Sequence, residues 1–255
     1  MSLTIPYRSS QFSVGYNDYD GVEAETGLRF RILFMKTGSE ETISSRDYET
    51  AVLIIKGKGT IIYNDRECSF ERSSWIDKNP VVAHFPAGDA VTVRAGQESR
   101  IAVISTLNSN QFKGKVYTPA EIDVEHRGKD ILDGTCYRLV RLAFDRSIAP
   151  EPARIVLGEV LNFPGKWSSY PPHHHEQSEI YYYEFSPVEG YGHGELGDDV
   201  FKIQHQDLLV ITDFRDHSQV AAPGYHMYYI WAIRHMKDNP YKGFEFTKPH
   251  DKLLI

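Results

Sequence analysis

The stretch GKWSSYPPHHHEQSEIYYYEF, residues 165–185, carries both the fold signal and the chemical signal of this chain. Its second part, from Glu179 to Phe185, is rich in aromatic residues, which favour the pleated, half-buried surface of a β-strand. Its first part holds three consecutive histidines beside two prolines. The stretch therefore predicts a metal site built on neighbouring strands.

The same strand signal recurs outside this stretch. Runs of β-branched and aromatic residues at 28–36, 50–64 and 84–96 are separated by clusters of Gly, Pro, Asp and Asn, a pattern typical of strands joined by tight turns. No long amphipathic segment interrupts these runs, so a parallel sheet with crossover helices is disfavoured. We predict an all-β chain of the sandwich or jelly-roll type.

The two halves of the sequence follow one plan. In each half, strands lead to a Pro/Gly turn and then to another apolar strand, with the turns at residues 85–89 and 222–226. Residues 107–135 are polar and lack a clear period, which predicts a linker. Residues 1–28 also lack helical periodicity, and we expect an irregular arm or an edge strand there.

Composition narrows the classes of function. The 255 residues carry a formal net charge of -7, so no positive field would attract nucleic acid or an anionic membrane. No apolar segment has the length of a membrane span or a signal core. Cys68 and Cys136 form neither a CxxC motif nor a disulfide framework, which suits a reducing compartment. We expect a cytoplasmic enzyme or binding protein with a small-molecule partner.

The histidine triplet predicts ligands by strand periodicity. Residues two apart on a strand point to the same face, so His173 and His175 aim together while His174 turns away. Glu179 begins the next strand and can face the same interior, and alternate tyrosines follow it. The pattern therefore predicts two imidazoles and one carboxylate on one face.

A further ligand has to come from elsewhere in the sheet. His217 is the best candidate because it follows an apolar strand, and His226 is the alternative. Three imidazoles and a carboxylate suit Zn, Fe, Mn or Ni and leave coordination positions open for a substrate. His84 stands alone in the first half, and we expect it in a core or a turn.

Several blocks of sequence resemble known families. HHHEQSE, residues 173–179, has the form H-x-H-x3-E and resembles the metal motif of the cupin family, and the two-half plan resembles a bicupin. A closer resemblance, covering nearly the whole chain, is to the 5-deoxy-glucuronate isomerases, relatives of the 4-deoxy-threo-5-hexosulose-uronate ketol-isomerases. The blocks that carry it are GKWSSYPPHHHE (165–176), EIYYYEFSPVEGYG (179–192), AAPGYHMYYIWA (221–232) and, more weakly, EHRGKD (125–130).

The resemblance implies a bicupin with two jelly-roll β-barrels. Residues 1–120 would form a barrel without metal ligands, and residues 121–255 would form the barrel with the metal and the active site. The implied metal ligands are His173, His175, Glu179 and His217. Zinc is the first expectation for the metal, with Mn, Fe or Ni as alternatives.

The implied activity is that of a metal-dependent aldose-ketose isomerase. It would convert 5-deoxy-D-glucuronate to 5-dehydro-2-deoxy-D-gluconate in myo-inositol catabolism. A tyrosine of the aromatic strands or a pocket acid is expected to assist proton transfer. The tyrosine candidates are Tyr181, Tyr183 and Tyr229.

Three further residues are candidate substrate contacts. The guanidinium of Arg127 can bind a carboxylate through two hydrogen bonds, although a linker residue tied to backbone carbonyls or a surface acid is an equal alternative. Lys166 and His226 complete the set.

Two other functions fit the same residues. A metal-dependent cupin dioxygenase can use the same ligand set with iron. A non-catalytic sugar-binding cupin would account for Glu184, which stands where the resembling isomerases commonly have arginine. Exposed edge strands would favour a homo-oligomer in any of these cases.

Overall fold

The computed structural model describes residues 7–8 and 12–254, so parts of the predicted N-terminal arm, residues 1–6 and 9–11, lie outside the described residues. About half of the described residues lie in strands, and the same residues contain a single short α-helix. The prediction of an all-β chain is confirmed. No helix in the described part of the chain is long and apolar enough to cross a membrane.

The elements are short and follow one another closely. Those up to residue 117 are β1 (Tyr7–Arg8), β2 (Gly15–Asp18), α1 (Val22–Thr26), β3 (Arg29–Met35), β4 (Glu40–Ser44), β5 (Tyr48–Tyr63), β6 (Arg66–Arg72), β7 (Val82–Phe85), β8 (Ala90–Ala95), β9 (Ser99–Leu107) and β10 (Lys115–Tyr117). The later strands are β11 (Val124–Arg127), β12 (Arg138–Phe144), β13 (Ile155–Asn162), β14 (Trp167–Ser168), β15 (His173–His174), β16 (Glu179–Ser186), β17 (Tyr191–Leu196), β18 (Asp199–Gln204), β19 (Asp207–Ile211), β20 (Gln219–Ala221), β21 (His226–Arg234) and β22 (Glu245–Phe246). Short 3-10 helices lie at Pro119–Glu121, Leu132–Gly134 and His250–Leu254.

The chain divides into two compact units. The described residues of the first, here called the histidine unit, are 7–8, 124–142 and 157–254; those of the second, here called the N-terminal unit, are 12–123 and 143–156. The change from one unit to the other near residue 124 falls inside the predicted linker. The predicted boundary between residues 120 and 121 stays a prediction.

The N-terminal unit has an aliphatic core. Its main sheet runs in the order β10-β7-β5-β9-β3-β2, with the long strand β5 also pairing to β6 and β8. The buried cluster consists mostly of Ile, Val and Leu. His84 lies in this unit with 1% of its surface exposed, as expected of a lone histidine in a core.

The histidine unit is built on a sheet in the order β1-β19-β16-β21-β13-β12-β11. A second sheet, β14-β20-β17-β18, and the short pair β15-β22 complete it. Tyr181, Tyr183 and Tyr229 belong to its buried core cluster, because alternate residues of β16 and β21 point to one face. Within the described residues no sheet closes into a barrel.

Candidate metal centre

Three buried side chains of the histidine unit converge. The ligand atoms of His175, Glu179 and His217 all lie within 4.8 Å of one another. Nε2 of His175 is 3.0 Å from Oε2 of Glu179, and Nε2 of His217 is 3.4 Å from the same oxygen. Two imidazoles thus face one carboxylate, which we call the metal group.

The backbone fixes the tautomer of His217. This residue lies in the segment between β19 and β20, where its Nδ1 donates to the carbonyl oxygen of Arg215 at 2.9 Å. The proton on Nδ1 leaves a lone pair on Nε2, which is the arrangement of a metal-ligating histidine whose other nitrogen is held by a backbone carbonyl. Burial lowers the pKa of His217, which favours the neutral ring that a metal needs.

The metal group contains an acceptor without a partner. Nε2 of His217 is buried and has no hydrogen bond among the described residues. A buried polar atom without a partner costs free energy, and a metal ion between Nε2 and Glu179 would remove that cost. The residues present therefore fit a divalent metal ion.

His173 lies beside the metal group. Its ring centroid is 4.8 Å from that of His217, and its Nδ1 donates to the carbonyl oxygen of Pro171 at 3.2 Å, so its Nε2 also keeps a lone pair. Burial lowers the pKa of His173 well below the ordinary value. The four predicted ligands thus share one region, while coordination by His173 stays a prediction.

His174 turns away from the metal group. Its Nδ1 donates to the hydroxyl of Thr247 at 2.7 Å, and that hydroxyl donates to Asp216. His174 is therefore partnered on the other side of β15, as strand alternation predicts.

The C-terminal segment covers the histidines. The strand β22 pairs with β15, placing Phe246 opposite His173. The ring of Phe244 lies 4.2 Å from that of His173, and the ring of Tyr241 lies 5.1 Å from that of His175. Sequence reasoning singled out none of these three aromatic residues.

Two serines and two tyrosines form a chain of hydroxyls near the metal group. Tyr181 lies 3.0 Å from Ser169, which is 3.4 Å from Tyr229, and Tyr229 is 2.6 Å from Ser168, all measured between hydroxyl oxygens. Ser169 adopts a left-handed backbone with φ of 51°, a conformation that often marks functional sites. Sequence reasoning selected both tyrosines and missed both serines.

Burial keeps these tyrosines protonated. It raises the pKa of Tyr181 well above the ordinary value for a phenol and raises that of Tyr229. Tyr181 also lies against the metal group, with its ring centroid 5.8 Å from that of His217. The two phenols are therefore suited to donate a proton or a hydrogen bond at neutral pH.

Tyr183 has a different role from its two neighbours. Its hydroxyl donates to Oε1 of Gln219 at 2.5 Å, and Nε2 of Gln219 donates to the carbonyl oxygen of His217 at 2.7 Å. Tyr183 thus helps to position the backbone of a candidate ligand.

The predicted substrate contacts are dispersed. Both oxygens of Glu125 accept hydrogen bonds from Arg127, at 2.7 and 2.5 Å, which is the surface-acid alternative. His226 pairs with Ser186, at the opposite end of the β16-β21 ladder from Glu179. Lys166 lies half-buried before β14, and its backbone N–H donates to Phe163. The structure does not bring the three together with the metal group.

Glu184 lies on the other face of β16 from the metal group. It is fully buried and accepts a hydrogen bond from Tyr182 at 3.1 Å. Residues at even positions of this strand point away from Glu179 and Tyr181. The departure from the resembling isomerases at this position therefore does not touch the metal group.

Comparison with known proteins identifies the family of this chain. The sequence model of the KduI/IolB family matches residues 9–253. The chain belongs to the KduI/IolB family. A curated relative from Lacticaseibacillus casei, a 5-deoxy-glucuronate isomerase, is 29% identical over 90% of this chain and 91% of its own length. The isomerase of the same name from Bacillus subtilis strain 168 is 25% identical, with 80% of each chain covered.

Solved structures resemble the fold. An IolB-like protein from Salmonella typhimurium LT2 superposes with a TM-score of 0.85 at 20% identity, covering 97% of this chain and 98% of its own. An oxalate decarboxylase superposes with a TM-score of 0.67 at 12% identity, covering 94% of this chain and 78% of its own. These neighbours support a cupin-like fold for this chain.

Proposed function

We propose that this chain is an aldose-ketose isomerase that converts 5-deoxy-D-glucuronate to 5-dehydro-2-deoxy-D-gluconate. Membership of the KduI/IolB family is the observation that carries the proposal, because the curated relatives over most of the chain are 5-deoxy-glucuronate isomerases. The buried metal group adds chemical support. The corresponding pathway would be myo-inositol catabolism.

The reaction is metal-dependent in this proposal, with zinc as the first candidate. His175, Glu179 and His217 would hold the ion, and His173 would be the fourth ligand. Support comes from the orphaned Nε2 of His217 and from the carbonyl bonds that fix the tautomers of His173 and His217. A bound divalent metal supplies Lewis acidity toward the sugar carbonyl and the adjacent hydroxyl.

The chain's own residues would handle the protons. Isomerisation moves a proton between C2 and C1 and changes the protonation of the two oxygens. Tyr181 and Tyr229 would donate hydrogen bonds to those oxygens, and the serine hydroxyls would pass a proton along the chain that ends at Ser168. Tyr183 would act indirectly, through Gln219 and the backbone of His217.

The overall arrangement in this proposal is a bicupin. Residues 1–120 would form the barrel without metal ligands, and residues 121–255 would form the catalytic barrel. Support comes from the two compact units, each with its own buried cluster. The free cysteines Cys68 and Cys136 are consistent with a cytoplasmic location, and pairing of edge strands such as β2 would produce a homo-oligomer.

Deuterium exchange tests the function directly. Metal-loaded protein is incubated with 5-deoxy-D-glucuronate in heavy water, and NMR follows the C2 proton and the appearance of the ketose. We expect conversion that His175→Ala abolishes. If fully metal-loaded wild-type protein neither exchanges the C2 proton nor forms the ketose, the assignment is overturned.

A further inference from the structure

Arg138 is buried on the inner face of the histidine unit. It is the first residue of β12 and is 5% exposed. Val140, two residues later, packs in the core cluster that contains Tyr181 and Tyr229. Because residues two apart on a strand share a face, the side chain of Arg138 points toward the same interior as these tyrosines.

Electrostatic effects place Arg138 near the candidate site. Its guanidinium interacts electrostatically with Tyr229. The guanidinium therefore lies within electrostatic range of the hydroxyl chain.

The carboxylate of Glu125 acts electrostatically on Arg138, but it is already paired with Arg127. Nη1 of Arg138 donates to the carbonyl oxygen of Cys136 at 2.8 Å, and no carboxylate in the described part of the chain forms an ion pair with this guanidinium. A guanidinium stays charged at physiological pH. Burying such a charge without an anion is costly.

A second arginine increases this cost. Arg127 on β11 is the direct cross-strand partner of Arg138, and like charges directly opposite each other are destabilising. Glu125 neutralises Arg127 through two hydrogen bonds. One positive charge therefore remains on the inner face, and it belongs to the more deeply buried arginine.

We propose that Arg138 binds the carboxylate of the uronate substrate, so that this residue, rather than Arg127, confers preference for a sugar acid. The inference rests on the proposed isomerase function. The planar guanidinium can form two parallel hydrogen bonds with a carboxylate. Lys166 and His226 offer no comparable buried cation beside the tyrosines. Arg127 also interacts electrostatically with Tyr229, but its guanidinium is held by both oxygens of Glu125.

Paired substrates isolate the carboxylate contact. Turnover is measured with 5-deoxy-D-glucuronate and with its neutral 6-carboxamide, for wild type, Arg138→Gln and the control double variant Glu125→Gln/Arg127→Gln. We expect Arg138→Gln to lower kcat/KM for the acid about 100-fold, mainly through KM, and to leave the amide nearly unchanged. The double variant keeps the acid preference within about threefold, because the pair of Glu125 and Arg127 carries no net charge and is removed whole.

The outcomes separate this inference from the proposed function. If the wild type converts the acid and Arg138→Gln prefers the acid over the amide as strongly as the wild type does, the role of Arg138 is overturned. The isomerase assignment then still stands. Failure of the wild type to convert the acid overturns the isomerase assignment. Calorimetric binding of D-glucuronate then decides Arg138 alone, since loss of binding in Arg138→Gln supports the inference and unchanged binding overturns it.

Two further measurements keep the inference testable if Arg138→Gln does not fold. Arg138→Lys keeps the charge and loses the two-pronged geometry, so we expect an intermediate loss of about tenfold with the acid. In the wild type, D-glucuronate should bind at least about tenfold more tightly than D-glucuronamide. Equal binding of the two compounds overturns the inference without any variant.

Discussion

Two buried contacts between histidine and glutamate can be compared within this chain. In the N-terminal unit, Nε2 of His84 lies 2.8 Å from Glu49, which also accepts bonds from the side chain of Asn108 and from two backbone N–H groups. In the histidine unit, Glu179 faces His175 and His217, and Nε2 of His217 has no hydrogen-bond partner in the described residues.

The difference shows what distinguishes a structural pair from a candidate metal site. Both carboxylates are buried and both contact histidine, so burial and residue type do not separate them. Glu49 has a full set of donors, which makes it a satisfied part of the core. Around Glu179 a nitrogen lone pair is left over, and a lone pair is what a metal binds.

The largest expected effect comes from removing each carboxylate in turn. Glu179→Gln should reduce bound metal to below about 0.1 per chain and lower isomerisation at least about 1,000-fold, because a neutral amide replaces an anionic ligand. Glu49→Gln is the control and should retain its metal. Elemental analysis after dialysis measures both, and equal metal loss in the two variants would contradict the comparison.

The next largest effect is expected at the tyrosines of the histidine unit, which lie in its core cluster near the metal group. Tyr229→Phe should lower kcat about 100-fold with metal content unchanged, since a proton-transfer group is lost. Tyr183→Phe should lower it by no more than about fivefold, because that hydroxyl holds Gln219. If both variants lose the same activity, the hydroxyl chain has no special role.

A third prediction uses stability to sharpen the contrast. Burial alone would raise the pKa of Glu49, but the bonds from His84, Asn108 and the backbone outweigh it, so the pKa lies below the ordinary 4.5. A lowered folded pKa stabilises the protein above the unfolded value, and this contribution is lost as pH falls through the folded value.

Urea unfolding of wild type and Glu49→Gln follows this contribution across pH. At pH about 7 the variant should be less stable by about 3 kcal/mol. The difference should shrink as the pH falls below 4.5 and through the lowered pKa of Glu49, because the wild type then takes up a proton there. A difference that is constant over this range would show that the charge of Glu49 does not stabilise the fold.

The smallest effect is expected at His174, which lies between two predicted ligands. His174→Ala should keep its metal and lose about 1 kcal/mol of stability, because it removes contacts to Thr247, Asp216 and Phe214 and none to the metal group. His175→Ala should lose the metal. Loss of metal from both variants would mean that strand alternation does not govern the triplet.

Local pattern was enough to predict the central strand. The period of two from Glu179 through Tyr181 and Tyr183 placed these side chains on one face, and β16 occupies that position in the structure. Glu184 and Tyr182 fall on the other face for the same reason. Such alternation is a property of the extended backbone itself, so it can be read before any partner strand is known.

Long-range contacts were beyond local pattern. The strand β22, which pairs with β15 and covers His173, consists of Glu245 and Phe246. These residues lie in a segment whose sequence has no strand period. The register of Arg127 with Arg138 depends on which residues of β11 and β12 lie opposite each other. Neither relation is encoded in a short stretch, since cross-strand partners are set by the whole sheet.

The stretch at residues 165–185 by itself determined the strand class, the alternation of its histidines and the type of chemistry that its donors favour. Tertiary structure alone decided that His217 reaches Glu179, that Ser168 and Ser169 join the tyrosines, and that Glu125 neutralises Arg127. The physical reason is distance along the chain: side-chain direction follows from neighbouring backbone atoms, whereas satisfaction of a buried polar group depends on atoms brought from remote segments.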